Sequence, residues 1–152
     1  MLAHLAVYSG WPSAVSALDV YEQVYTARKI DSATLHGVGP RLPAPAGDAA
    51  RAKAVTQELG AVAPKFEQLT NEMVFDDLWR RSDLSPRDRS LVTIVALAAM
   101  GDDDQLAFYL RRGIESGLTR DQIVEAVTHL GFYEGWGKAT NAMTTISRFF
   151  GK

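Results

Sequence analysis

The sequence predicts an all-α fold, and three observations carry that prediction. No stretch alternates apolar and polar residues with period two over a useful length. Apolar residues recur instead at three- and four-residue spacing, and the periodic runs are bounded by residues that start and stop helices. With 152 residues, 47% apolar and 22% charged, the chain has the composition of an ordinary globular domain.

Residues 1–9 read as the end of an amphipathic helix stopped by Gly10. Trp11-Pro12 opens a second helix to about Arg28, because proline fits a first helical turn. Residues 30–47 hold Gly37, Gly39, Pro40, Pro43, Pro45 and Gly47 without periodicity and read as a surface connector. Asp48 starts a helix running to Gly60, and Phe66, Leu69, Met73, Val74, Leu78 and Trp79 predict one helix over 63–81. Ser85-Pro86-Arg87-Asp88 supplies an N-cap, a proline at the first helical position and an acid at the third. The run Leu91 to Met100 that follows is apolar almost all round, which predicts a central helix covered on every side and ended by Gly101. Asp102-Asp103-Asp104 places negative charge at the start of a helix that reaches Gly117. Thr119 and Gln122 form a capping box for a helix ending near Gly135, and a last helix spans about Gly137 to Phe150.

The two ends of the chain nearly repeat each other. His4, Leu5, Tyr8, Gly10, Trp11, Ala14 and Ala17 recur as His129, Leu130, Tyr133, Gly135, Trp136, Ala139 and Ala142, at a constant offset of 125 residues. The expected organisation is therefore a partial repeat over 1–29, a helical hairpin matching the trailing half of a unit whose leading half is absent. A linker over 30–47 and a complete domain over 48–152 follow. The hairpin is expected to dock beside the complete unit, with His4 or Trp11 reaching toward its pocket.

Several function classes have no support. A net charge of -2 with interleaved signs gives no electrostatic reason to expect nucleic acid or an anionic membrane as partner. No apolar run approaches the roughly 20 residues a membrane span needs, and no secretory leader is legible, so the expected address is the cytoplasm. The absence of cysteine removes disulfides, thiolate nucleophiles and thiolate metal sites together. Three scattered histidines lack metal-ligand spacing, the aspartate triplet lacks the pattern of a calcium loop, and Gly37-Val38-Gly39 lacks the strand that precedes a phosphate loop. No metal or other cofactor is expected.

Four motifs in order then carry a family resemblance. They are Leu84-Ser85-Pro86-Arg87-Asp88-Arg89-Ser90-Leu91-Val92-Thr93-Ile94, Gln105-Leu106-x-Phe108-Tyr109-Leu110, Gly117-Leu118-Thr119-x-x-Gln122-Ile123-Val124-Glu125-Ala126, and His129-Leu130-x-Phe132-Tyr133-x-Gly135-Trp136. Together they resemble the carboxymuconolactone decarboxylase family, a branch of the all-helical fold of the AhpD alkylhydroperoxidases, over about residues 50 to 150. The peroxidase branch works through a Cys-x-x-Cys pair with a glutamate and a histidine. The resemblance lays those four positions on Asp102, Gln105, Ser90 and Tyr109, so peroxide reduction by thiols is not expected. The decarboxylase branch is closer at Arg89, Ser90 and Gln105, but commonly has histidine where this chain has Tyr109.

Loss of CO2 from a lactone bearing a carboxylate leaves electron density that spreads into the carbonyl and then takes a proton at carbon. That chemistry needs a carboxylate clamp, donors aimed at the oxyanion and an acid. Arg89 is the candidate clamp, with Gln105, Tyr133 and Trp136 as further substrate-binding residues; Ser90, Tyr109 and His129 are the candidate catalytic groups. Each has a structural rival reading. Arg89 suits an ion pair with Asp88 or Asp121, Ser90 suits close helix packing, and Tyr109 suits a buried ring tied to a carbonyl. His129 suits a core histidine, and Trp136 a packing anchor. His36, in the connector, reads as solvated.

The function expected from the resemblance is a cofactor-independent enzyme acting on a small cyclic organic acid or ketone by decarboxylation or proton transfer. An isomerase or cyclase of a biosynthetic pathway is the rival among enzymes, and a non-catalytic oligomeric binding protein the rival outside them. The resemblance also implies a homo-oligomer, a trimer or hexamer, with pockets near subunit contacts.

Overall fold

The computed structural model describes residues 1–31 and 39–151; His36 and Gly37-Val38 of the connector lie outside the described residues. The described chain is helical and divides into two compact units, one of Met1–Tyr21 with Ser85–Lys152 and one of Glu22–Leu84. Among the described residues no helix is long and apolar enough to cross a membrane.

The first unit is built around α6, Pro86–Met100. Ser85 caps it as its sequence requires, its hydroxyl accepting from the Asp88 amide at 3.1 Å, and Gly101 ends it in a left-handed conformation at φ 75°. From Arg89 to Ala99 every residue of α6 is buried or half-buried. The reason is that α1 (Leu2–Ser9), α7 (Asp103–Glu115), α8 (Arg120–Glu134) and α9 (Trp136–Phe150) all pack against it. Ile94, Leu97, Leu106, Leu110, Ile123, Val127 and Ile146 form the apolar centre. Asp102 and Thr119 cap α7 and α8 through their side chains, the latter in the full capping box. Close approach of α6 and α7 depends on Gly113: a Cβ there would lie 3.0 Å from the Ile94 methyl and 2.9 Å from Leu118.

Gly10 and Gly135 break the chain in matching ways. Their dihedrals are φ 84°, ψ 145° and φ 92°, ψ 149°, a region that only glycine occupies freely. Each is followed by tryptophan as the first residue of the next helix, α2 (Trp11–Ser16) after Gly10 and α9 after Gly135. The helix expected over 11–28 is interrupted, however. At Ala17 (φ -80°, ψ -16°) the turn flattens, α2 ends, and α3 (Leu18–Ala27) begins a new ladder with the Tyr21 amide donating to the Ala17 carbonyl.

In the second unit, α4 (Asp48–Leu59) and α5 (Pro64–Leu69) lead into a π-helical stretch over Thr70–Asp77 and a 3-10 turn at Leu78–Arg80. The single helix expected over 63–81 is thus three kinds of helix, and the difference has a physical consequence. A π turn holds more residues than an α turn, so the apolar stripe read at α spacing rotates off register. Phe75, Leu78 and Trp79 are buried while Phe66, Leu69 and Met73 are exposed. Arg51 ties α4 to the π stretch, bonding Asp48 and, at 2.8 Å, the Asn71 side chain while its guanidinium lies 3.8 Å from the Phe75 ring centre. A reciprocal clip closes the unit: the Leu42 amide donates to the Arg80 carbonyl and Arg80 Nε to the Leu42 carbonyl, both at 2.7 Å.

Candidate functional site

Polar side chains rarely lie inside an apolar unit without partners, and among the described residues of the first unit four are buried: His4, Arg89, Ser90 and Thr93. They meet where α1 crosses α6. Arg89 and Thr93 stand one turn apart on α6, so both reach the same helix. His4, on α1, lies between them, with Nε2 2.7 Å from Thr93 Oγ1 and Nδ1 3.5 Å from Arg89 Nη1.

The partners fix the imidazole's tautomer. A guanidinium only donates, so His4 Nδ1 is the acceptor and Nε2 carries the proton, which it gives to Thr93 Oγ1. The threonine hydroxyl passes the direction on by donating to the Arg89 carbonyl at 3.0 Å. Both ring nitrogens of His4 are thus engaged.

One turn further along α1, Tyr8 reaches α7. Its hydroxyl is 2.8 Å from that of Tyr109, and the two rings meet edge to face at 5.3 Å. Tyr8 also lies against the His4 ring, with centroids 5.0 Å apart, and Tyr109 against Phe108. Tyr109 itself is buried, at 6% exposure. In a phenol pair one hydroxyl proton lies between the oxygens, leaving the accepting hydroxyl a proton of its own to give elsewhere.

The candidate residues thus separate into two groups. Arg89, Ser90 and Tyr109 are buried on α6 and α7, the first and last of them in contact with α1. Ser90 is committed in two ways, its hydroxyl donating to the Pro86 carbonyl at 2.8 Å and its Cβ facing the Gly113 backbone. Asp88, the expected ion-pair partner of Arg89, bonds Arg87 and the Ser85 hydroxyl. Gln105, one turn before Tyr109, is exposed in the first turn of α7, where its backbone amide donates to Asp102. His129, Tyr133 and Trp136 are exposed as well, His129 and Tyr133 against each other at 5.1 Å and Trp136 against Phe132.

His4 does reach the α6 residues, whereas Trp11 stands exposed. Sequence reasoning did not find Tyr8 as the partner of Tyr109, nor Thr93 as that of His4. The available signal for Thr93 was its position four residues after Arg89, a polar residue within an otherwise apolar run.

A groove of about 550 Å³ lies on α8 and α9, lined by Thr128, Trp136, Ala139, Thr140, Met143 and Arg148 among others. The Thr128 and Thr140 hydroxyls are spent on their own helices, donating to the Val124 and Trp136 carbonyls. Among the described residues no group of three or more His, Cys, Asp or Glu is placed to hold a metal ion.

The fold and these residues define a helical unit whose buried polar groups are a guanidinium, an imidazole and hydroxyls, in a chain with no cysteine. Comparison with known proteins makes the assignment specific: the model of the carboxymuconolactone decarboxylase family matches residues 64–146, and the chain belongs to that family. A 4-carboxymuconolactone decarboxylase from Acinetobacter baylyi is 32% identical over 85 residues, 56% of this chain and 63% of that protein. The nitrosuccinic acid decarboxylase npaB of Metarhizium robertsii is 28% identical over 82 residues, 54% of this chain and 57% of that protein. The chain therefore spans about three fifths of the length of these relatives. Family membership and the missing cysteine pair agree with the resemblance drawn from the four motifs.

Proposed function

We propose that this chain is a cofactor-independent enzyme that acts on a small organic acid or ketone by decarboxylation or a related proton transfer. The observation that supports this best is the meeting of Arg89, His4 and Thr93 beside the Tyr8–Tyr109 phenol pair. Such a set joins a fixed cation to proton donors in a water-poor place, where electrostatic interactions gain strength. Arg89 would hold the carboxylate. Tyr109, backed by Tyr8, would deliver a proton to the carbanion left by CO2. His4 brings an imidazole to the neighbourhood of Tyr109, the position where the family commonly carries histidine. In this reading it takes the part the sequence offered to His129.

The two relatives' names favour the same reaction class. 4-Carboxymuconolactone and nitrosuccinic acid are both carboxylic acids bearing an electron acceptor, a lactone carbonyl in one and a nitro group in the other. Decarboxylation of either needs no metal if the protein stabilises the acceptor's new negative charge. We extend the proposal to a soluble protein working as a homo-oligomer, with residues 1–29 acting as a partial repeat that completes the unit.

A second reading is favoured by burial. Arg89 is 1% exposed and Ser90 0%, which suits a non-catalytic binding or assembly protein whose polar cluster serves packing. One experiment separates the two: incubation of the protein with 4-carboxymuconolactone and, separately, nitrosuccinic acid, with CO2 measured. The enzyme reading expects release above the protein-free rate, lowered about 100-fold or more by Tyr109→Phe, the usual cost of losing a general acid. Release at the protein-free rate with both acids would sink decarboxylation. Rearranged acid without CO2 would favour the isomerase.

A further inference from the structure

The groove on α8 and α9 shares no residue with the Arg89–His4–Tyr109 cluster, and its lining shows that it is long. It follows one stripe of α9 through Trp136, Ala139, Met143 and Arg148, with Thr128 of α8 alongside. From Trp136 to Arg148 the stripe covers about 18 Å of helix, at about 1.5 Å per residue. The first copy of the repeat does not offer the same unbroken stripe, because α2 stops at Ser16 whereas its counterpart α9 runs on to Phe150.

Along this length the groove is apolar, with a single charge at one end. Trp136 walls the other end. The six-membered ring of its indole lies 2.9 and 3.0 Å from where a Cβ on residue 131 would stand, so glycine there gives the ring its seat on α8. The first copy has Ala6 at that place. The Thr128, Thr140 and Thr144 hydroxyls donate to the Val124, Trp136 and Thr140 carbonyls, which leaves none of those three protons for a ligand. Arg148 is the one charged side chain of the lining, and among the described residues no carboxylate pairs with it.

We propose that this groove binds a free medium-chain carboxylic acid, its carboxylate on the Arg148 guanidinium and its acyl chain along α9 toward Trp136. A guanidinium meets a carboxylate with two parallel hydrogen bonds, and the apolar stripe then takes a chain that asks for none. The length fits as well. An extended chain of about ten carbons covers about 11 Å at about 1.2 Å per bond, the rate of an extended backbone, and the long side chains at the two ends take up the remainder. A volume of about 550 Å³ lies within the range of small-molecule sites. Sugars and nucleotides suit the groove poorly. Their polar atoms need donors that the threonines have already committed, and a phosphate's charge needs more than one cation.

Titration of the intact chain with decanoate below its micelle concentration, followed by tryptophan fluorescence and by calorimetry, tests the proposal. Saturable one-to-one binding is expected, with a fluorescence change that is lost in Trp136→Phe and kept in Trp11→Phe. From hexanoate through octanoate to decanoate, affinity should rise about twofold per added methylene, as for groups about half removed from water. Arg148→Gln should weaken octanoate at least tenfold and leave octanol unchanged. Met143→Glu, which sets a like charge midway along the chain, should abolish carboxylate binding while circular dichroism stays that of the parent. No saturable binding at millimolar decanoate overturns the proposal, as does equal affinity for octanoate in the parent and Arg148→Gln, the mark of partitioning into any apolar surface. Binding to vesicles of phosphatidylcholine and phosphatidylglycerol without binding of free decanoate overturns it too, and assigns the groove to a lipid surface.

Discussion

His4 illustrates how much a single side chain's environment decides. In a fully buried place, each ring nitrogen needs a partner, and Thr93 supplies the one for Nε2. Thr93→Val keeps the shape and removes the acceptor, so it should cost about 1–3 kcal/mol in chemical denaturation, the price of one stranded buried donor. A change below about 0.5 kcal/mol would mean that the imidazole has another acceptor. Asp77, in the second unit, predicts a pH dependence. Its hydrogen bond with Arg81 at 2.6 Å holds the carboxyl below the usual aspartate value, against the opposing effect of burial. A carboxyl lowered in the folded state contributes stability that is fully present above its unfolded value of 3.8 and is lost as pH falls through the lowered one. Asp77→Asn should therefore flatten the acid limb of the stability profile below about pH 4 and lower stability at neutral pH. At this scale the sequence made Arg89, Ser90 and Tyr109 visible through the motifs that carry the family resemblance. It did not reveal that Gln105 faces solvent although it stands one turn from Tyr109, since helical spacing places residues on a face without saying which part of that face is covered.

Helix boundaries in the first unit were legible because their signals are local. Ser85, Pro86 and Asp88 start α6, Thr119 and Gln122 start α8, and Gly101 and Gly135 stop their helices through φ values of 75° and 92°. Ser85→Ala removes the hydroxyl that accepts from the Asp88 amide and should cost about 1 kcal/mol, read as a lower thermal midpoint with unchanged far-ultraviolet dichroism. An unchanged midpoint would show that α6 is held by packing alone. The stretch Thr70–Asp77 behaved otherwise. Nothing in its composition distinguishes a π turn from an α turn, because the choice is made by what the stretch packs against, here Arg51 between Asp48, Asn71 and the Phe75 ring. The break at Ala17 is of the same kind: alanine favours helix, and no local signal announces the end of α2.

For the whole molecule, the informative pattern was the repeat, a relation between distant residues that periodicity within any one helix could not disclose. It announced that α1 and the end of α8 share a sequence; only the fold shows that α1 brings its histidine and tyrosine to α6 and α7 while the other pair stays in solvent. Nitrogen-detected NMR of the imidazoles tests that asymmetry most directly. Spectra of isotope-labelled protein should show one histidine locked as the Nε2–H tautomer with a slowly exchanging proton, absent from His4→Ala. If no slowly exchanging imidazole proton is lost in His4→Ala, α1 is not seated on α6.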